Sequence, residues 1–197
     1  MNRVSEEIQS LKGLFRERTP SLLNPGAISG SLVRAAVILP LVPSAKGLEI
    51  LFTLRSDEVK DHKGQISFPG GVIEETDRSP LFAAMRETSE ELGIGVGAIE
   101  IIGELDSYIT VTGYHIAAFL GILDGGCDFK PHQREIREVF SIPVADFLKP
   151  ELPERLNFVH EGLEREVFIY NLRGRMIWGA TARILKNFFD ITGGKLI

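Results

Sequence analysis

Between Gly64 and Gly93 the chain has no lysine, yet it runs from paired glycines, Gly70-Gly71, into Arg86-Glu87-Thr88-Ser89-Glu90-Glu91-Leu92-Gly93. This segment constrains the fold most, because its ends are marked and its charges crowd. Ser79-Pro80 reads as a helix cap followed by proline at the first helical position, where the missing N–H costs nothing. Gly93 supplies a left-handed residue that ends the helix. The spacing therefore predicts a helix over Pro80–Leu92, directly after a glycine turn that follows a strand.

At about 100° per residue, with Glu87 at zero, Glu91 falls near about +40°, Glu90 near about −60° and Arg86 near about −100°. All four share one side. Leu81, Phe82, Met85 and Leu92 fall at roughly 120° to 220°, so the helix is expected to bury that opposite side and turn its acids toward an open cleft. The plainer reading is a solvated acidic face, but such faces usually alternate sign, and like charges four apart destabilise by about 0.2–0.5 kcal/mol. Glu87 and Glu91 are such a pair, and a hard cation would relieve them. Mg²⁺ and Mn²⁺ favour oxygen ligands, and Mg²⁺ commonly shares carboxylates with substrate phosphates. Glu87 and Glu91 lead as metal ligands, with Glu90 as a third. Arg86, four residues before Glu90, is expected to hold that carboxylate through a two-pronged contact; the bland alternative is a surface pair worth about 0.3–0.5 kcal/mol.

With 197 residues and 44% apolar content the chain can bury one sizeable core. Strand-like runs occupy Val33–Val42, Leu48–Leu54, Ile99–Leu105, His115–Leu123 and Glu166–Tyr170, and a second clear helix spans Trp178–Phe189. The pattern is that of a layered α/β or α+β domain. Val4, Ile8, Leu11 and Phe15 recur at helical spacing before a loop rich in Pro, Gly and Ser from Pro20 to Ser31. Residues 1–31 are thus expected to pack as a helix and loop on a domain of residues 32–197.

Charge and cysteine content exclude several roles. A net charge of −5 without a Lys/Arg tract offers little to nucleic acid, and even Arg55–Lys63 is neutral: Arg55, Lys60 and Lys63 against Asp57, Glu58 and Asp61. Lone Cys127 excludes an internal disulfide and suits a reducing compartment. The apolar run Ala35–Val42, broken by Pro40, is too short to span a bilayer, and Met1–Thr19 lacks a signal peptide's apolar core. A soluble cytoplasmic protein is expected, with no membrane partner. There is no Gly-x-x-x-x-Gly-Lys-Ser/Thr phosphate loop.

The segment from Gly71 to Ile94 resembles the Nudix box, with three departures. Asp77 stands where glutamate is usual, Thr88 where an aliphatic is usual, and eight residues rather than seven separate Asp77 from Arg86. The first and third departures are similar to the coenzyme A pyrophosphatase branch. So are Leu51-Phe52-Thr53-Leu54-Arg55-Ser56, His62, Gly64-Gln65 and Phe68-Pro69-Gly70-Gly71, with Val59 and Lys60 replacing the usual leucine and arginine. Glu135-Ile136-Arg137-Glu138-Val139-Phe140, Pro143 and Ile177-Trp178-Gly179-Ala180-Thr181-Ala182 also look like pieces of that branch, so the likeness spans roughly residues 33–190.

The resemblance implies a Nudix-type α/β/α sandwich around a mixed β-sheet, and hydrolysis of the diphosphate of coenzyme A or acyl-coenzyme A. The implied products are 4′-phosphopantetheine, or its acyl form, and adenosine 3′,5′-bisphosphate. Alternatives are a Nudix enzyme for another nucleoside diphosphate derivative (NADH, ADP-ribose or a dinucleotide) and a catalytically silent ligand-sensing Nudix domain. Cleaving a pyrophosphate needs charge neutralised on its oxygens and an in-line nucleophile, both of which Mg²⁺ or Mn²⁺ can supply. Glu87 is the expected base, although ligand and base are not separable from sequence; Arg86 and Glu90 complete the catalytic set. Gly71 is either a turn glycine or, as in the family, a backbone carbonyl ligand. Glu135 is a further ligand from a loop, or a solvated glutamate. Arg55, His62 and Gln65 offer donors to the substrate, with a structural histidine as the alternative for His62. Trp178 reads better as core than as a base-stacking residue. A homodimer is left open.

Overall fold

The computed structural model describes residues 3–23, 31–58, 62–160 and 163–194. Val59, Lys60, Asn24–Gly30 of the expected loop and the carboxyl-terminal Lys195–Ile197 lie outside them. In chain order the elements are α1 (Arg3–Arg16), β1 (Leu22–Leu23), β2 (Val33–Ser44), β3 (Gly47–Arg55), β4 (Ile66–Ser67), β5 (Gly70–Val72) and α2 (Pro80–Leu92). There follow β6 (Ile99–Glu104), β7 (Ser107–Ile109), β8 (Tyr114–Leu123), β9 (Ile136–Pro143), β10 (Glu154–His160), β11 (Leu163–Leu172), β12 (Arg175–Trp178) and α3 (Gly179–Thr192).

A mixed sheet runs β1-β7-β8-β2-β3-β4, with β5 also on β2, β6 on β8 and β9 on β3. Strands β2 and β8 are parallel, register Val33↔Tyr114 to Leu41↔Ile122, while β2 and β3 form an antiparallel hairpin. A second, antiparallel sheet orders β10-β11-β12. Period-2 alternation sends the strand residues to two cores. Ala36, Ile38, Leu51 and Phe119 meet Ala83, Ala84 and Leu92 of α2 on one face. On the other, Leu39, Leu41, Ile50, Phe52 and Leu120 meet Leu11 and Phe15 of α1 and Ile184, Leu185 and Phe188 of α3. The sandwich expected around a mixed sheet is what is observed.

Pro40 does not break β2. Backbone nitrogens alternate sides, so the Pro40 nitrogen faces the same edge as the Ile38 N–H, which donates to the Pro69 carbonyl at 3.0 Å. On that edge β2 changes partner, from β5 at Ala35–Val37 to β3 at Leu41–Ser44. The missing donor falls at the fork, where no ladder bond needs it. The fork opens β2 beside Gly70-Gly71 and the start of the site.

Three readings need correction. Gly70-Gly71 form strand β5 rather than a turn, because two residues without side chains can lie flat against β2. The buried side of α2 is Ala83, Ala84, Thr88, Glu91 and Leu92, whereas Phe82 is 47% exposed. Leu92 is buried as expected and Leu81 and Met85 pack against the same core; the alanines let the helix approach the sheet closely, and Glu91 is drawn inward with them. Trp178 caps α3 and is 46% exposed, so it is not core. Strands β9, β10 and β12 were not among the expected runs.

Candidate active site

Strand β5 and helix α2 build the site by close contact. Gly70 has φ 144°, and a Cβ there would stand 2.3 Å from the Ala36 carbonyl oxygen, a backbone approach only glycine allows. In consequence its N–H donates to Glu91 Oε2 at 3.2 Å. A Cβ on Gly71 would lie 2.6 Å from Cδ of Glu87. The two glycines thus seat the two carboxylates that face them.

The helix is held in that place at both ends. The Ser79 hydroxyl accepts from the Phe82 N–H at 3.1 Å, Pro80 starts the helix, and Gly93 ends it in the left-handed region. Both ends match the sequence reading. Arg86 differs from it. Its two-pronged contact is to Asp77, with Nε–Oδ1 at 3.0 Å and Nη2–Oδ2 at 2.9 Å, while Nη1 reaches Glu87 at 2.8 Å and Glu90 only at 3.4 Å. The turn before the helix explains the preference: Asp77 Oδ2 accepts from the Glu74 N–H at 2.8 Å, so its carboxylate is already aimed. Glu90 is 63% exposed and has no comparable anchor.

Electrostatics separate these acids. The Arg86 hydrogen bonds hold Asp77 below the usual carboxylate range against the opposing effect of burial, and Asp77 raises Arg86 in return. Burial raises Glu87 despite its bond to Arg86. Burial pushes Glu91 up to about 8, against the Gly70 N–H and Arg55. Arg55 Nη1 is 3.7 Å from Glu91 Oε1, and among the described residues its buried Nε has no hydrogen-bond partner. A buried donor without a partner is costly, so Arg55 is poised to receive an anionic oxygen.

These groups open onto a cleft of about 800 Å³. Gly71, Glu87, Glu91, Glu135, Arg55, His62 and Gln65 all line it, whereas Arg86 and Glu90 do not. His62 Nδ1 and Gln65 Oε1 are 2.9 Å apart, and His62 lies edge-on to Tyr114 at 6.2 Å. The Glu135 N–H donates to the His132 carbonyl, and its own carbonyl accepts from the Ser56 N–H at 2.7 Å, which brings the loop to the cleft mouth. Tyr108, Tyr114 and Trp178 also line the cleft. No spacing rule marks them, since they come from β7, β8 and the end of β12.

Divalent metal fits this donor set. The hard oxygens of Glu87 and Glu91 line one cleft with the Gly71 backbone, the Glu87 carboxylate lies directly against Gly71, and burial holds the Glu91 carboxyl up at about 8. Among the described residues no three His, Cys, Asp or Glu side chains are gathered as a metal-holding group; the acids are divided among Gly70, Arg55 and Arg86.

A sequence profile described as NUDIX domain matches residues 32–162. The Nudix hydrolase NudL of Escherichia coli K12 is 33% identical over 153 residues, which cover 78% of this chain and 79% of that protein. The NudL of Yersinia pestis is 30% identical over 154 residues, 78% and 77% of the two chains. Among solved structures, a MutT/nudix family protein from Enterococcus faecalis superposes with TM-score 0.52 over 98% of this chain and 75% of its own, at 15% identity.

Proposed function

Because the chain belongs to the Nudix family and is a Nudix hydrolase, we propose that it hydrolyses the diphosphate of coenzyme A or acyl-coenzyme A. The products are 4′-phosphopantetheine, or its acyl form, and adenosine 3′,5′-bisphosphate. The reading is carried by one meeting of residues. Arg55, His62 and Gln65, from the segment that resembles the coenzyme A branch, line the same cleft as Glu87 and Glu91. That cleft, about 800 Å³, has room for a large nucleotide derivative. Residues 3–23 cover the domain in this reading, and the setting is cytoplasmic.

Glu87, Glu91 and the Gly71 carbonyl would hold Mg²⁺ or Mn²⁺, with Glu135 from the loop and Glu90 if it leaves Arg86. When bound, the cation neutralises charge on the phosphate oxygens and lowers the pKa of a nearby water. Arg55 offers its unpartnered Nε to a non-bridging oxygen, and Gln65 and His62 position the remainder of the substrate. Glu87, with its pKa raised by burial, takes the proton as the water oxygen attacks phosphorus and the bridging P–O bond breaks. Arg86, anchored on Asp77, keeps the Glu87 carboxylate oriented.

A substrate panel with Mg²⁺ or Mn²⁺ and mass identification of products tests this. Coenzyme A should yield the two named products at a higher kcat/KM than NADH, ADP-ribose or dinucleotides. Cleavage of those with coenzyme A left intact would overturn the substrate; no cleavage of any diphosphate would make the domain a silent sensor.

A further inference from the structure

A second, smaller cavity of about 200 Å³ lies between β10, β11 and α3. Three cations surround one buried ring there: Arg155, Arg183 and Lys186 stand 5.7, 5.0 and 5.8 Å from the centroid of Phe168. In a chain of net charge −5 this gathering is unusual, and like charges so close repel. Two acids offset them incompletely. Glu166 is shared between Arg155 at 3.4 Å and Arg183 at 3.9 Å, and Asp190 pairs with Lys186 at 2.5 Å. Among the described residues one positive charge is left over, together with guanidinium donors that the single shared carboxylate does not saturate.

The cavity adjoins the main cleft: Glu166, Phe168 and Arg183 line both, so the basic cavity lies within reach of a molecule held in the cleft. Its polar wall suits a compact oxyanion. Phe168 excludes water beneath the cations, and a guanidinium pair matches phosphate geometry in two-pronged contacts.

We infer that Arg155, Arg183 and Lys186 form a subsite for a phosphomonoester on the same substrate whose diphosphate is cleaved next to Glu87 and Glu91. This rests on the coenzyme A reading above, in which the phosphomonoester is the 3′-phosphate of the adenosine half. The subsite makes that phosphate, rather than the pantetheine arm, the feature that selects the substrate.

The test compares coenzyme A with coenzyme A lacking its 3′-phosphate, in wild type and in Arg155→Gln and Lys186→Gln. Wild type should prefer the phosphorylated form in kcat/KM by tenfold or more, the weight of one to two charge-assisted contacts, and each substitution should pull that ratio toward one. Binding of adenosine 3′,5′-bisphosphate against adenosine 5′-monophosphate, by calorimetry, reads the same subsite without catalysis. Wild type should bind the bisphosphate more tightly, and the variants should lose the difference. Equal handling of the paired ligands by wild type, or an unchanged preference in both variants, would overturn the subsite. If the binding preference holds and is lost in the variants while coenzyme A is not cleaved, the subsite stands and the substrate reading fails.

Discussion

At Gly70 and Gly71 two neighbouring residues of one type serve different ends, and the difference is measurable. Gly70→Ala places a Cβ against the Ala36 carbonyl at φ 144°; strain of this kind costs about 1–3 kcal/mol, which denaturant unfolding should register. Gly71→Ala instead pushes on the Glu87 carboxylate. It should leave the melting temperature nearly unchanged while lowering turnover by about a hundredfold, the cost of misplacing a reacting group by about an ångström. Glu91 ties stability to pH. Its folded pKa, about 8, lies above the ordinary 4.5, so the folded state holds the proton more tightly than the unfolded chain. The stability it contributes is full below pH 4.5 and is lost as pH rises toward 8. Without added metal, Glu91→Gln should therefore match wild type near pH 4.5 and become progressively the more stable of the two toward pH 8, by thermal melts. A constant difference would contradict the buried carboxyl.

Helix α2 was legible to the residue because its limits are local. Ser79, Pro80 and Gly93 act within one turn of the backbone they terminate. The long strands β2, β3, β6 and β8 agree with the expected runs within two residues, since a continuous apolar run states its own extent. Strand β10 could not be read this way. Leu156 and Val159 are exposed, no burial pattern distinguishes them from loop residues, and pairing with β11 alone makes the segment a strand. In the site, Glu87 and Glu91 were legible from helical spacing. The true partner of Arg86 was not, because Asp77 sits nine residues away on a turn whose geometry no helix angle describes. Nor was the full inner face of α2, where Ala83, Ala84 and Thr88 join Leu92 while Phe82 turns outward. Thr88 is fully buried and, among the described residues, its hydroxyl has no hydrogen-bond partner. Thr88→Val removes that unpaired group at equal volume and should stabilise the protein by about 1 kcal/mol, whereas Ser79→Ala should cost about 1 kcal/mol through the lost cap; chemical denaturation checks both.

Across the whole molecule, the sheet divides labour between its two faces: α2 and its acids lie on one, α1 and α3 on the other. The amino-terminal segment is fastened to the second face by Asp106, which accepts from Arg18, the Ser21 N–H and hydroxyl, and the Asn187 amide. Burial would raise the Asp106 pKa, but these donors together hold it below the ordinary 3.8. The stability it contributes is present above that value and is lost as pH falls through the lower folded pKa. Asp106→Asn leaves Arg18 without its carboxylate and should cost about 3 kcal/mol, with earlier proteolysis of residues 3–23; an unchanged unfolding midpoint would show that the clamp carries no load. Among the described residues no helix is long and apolar enough to cross a membrane. In the proposed function, Glu87 and Glu91 on the acid wall of the cleft carry the hydrolysis. Turnover of coenzyme A by wild type, Glu87→Gln and Glu91→Gln, each shown folded by circular dichroism, tests it most directly. Each substitution is expected to lower kcat by orders of magnitude with modest change in melting temperature, and a wild-type rate in either variant would contradict the account.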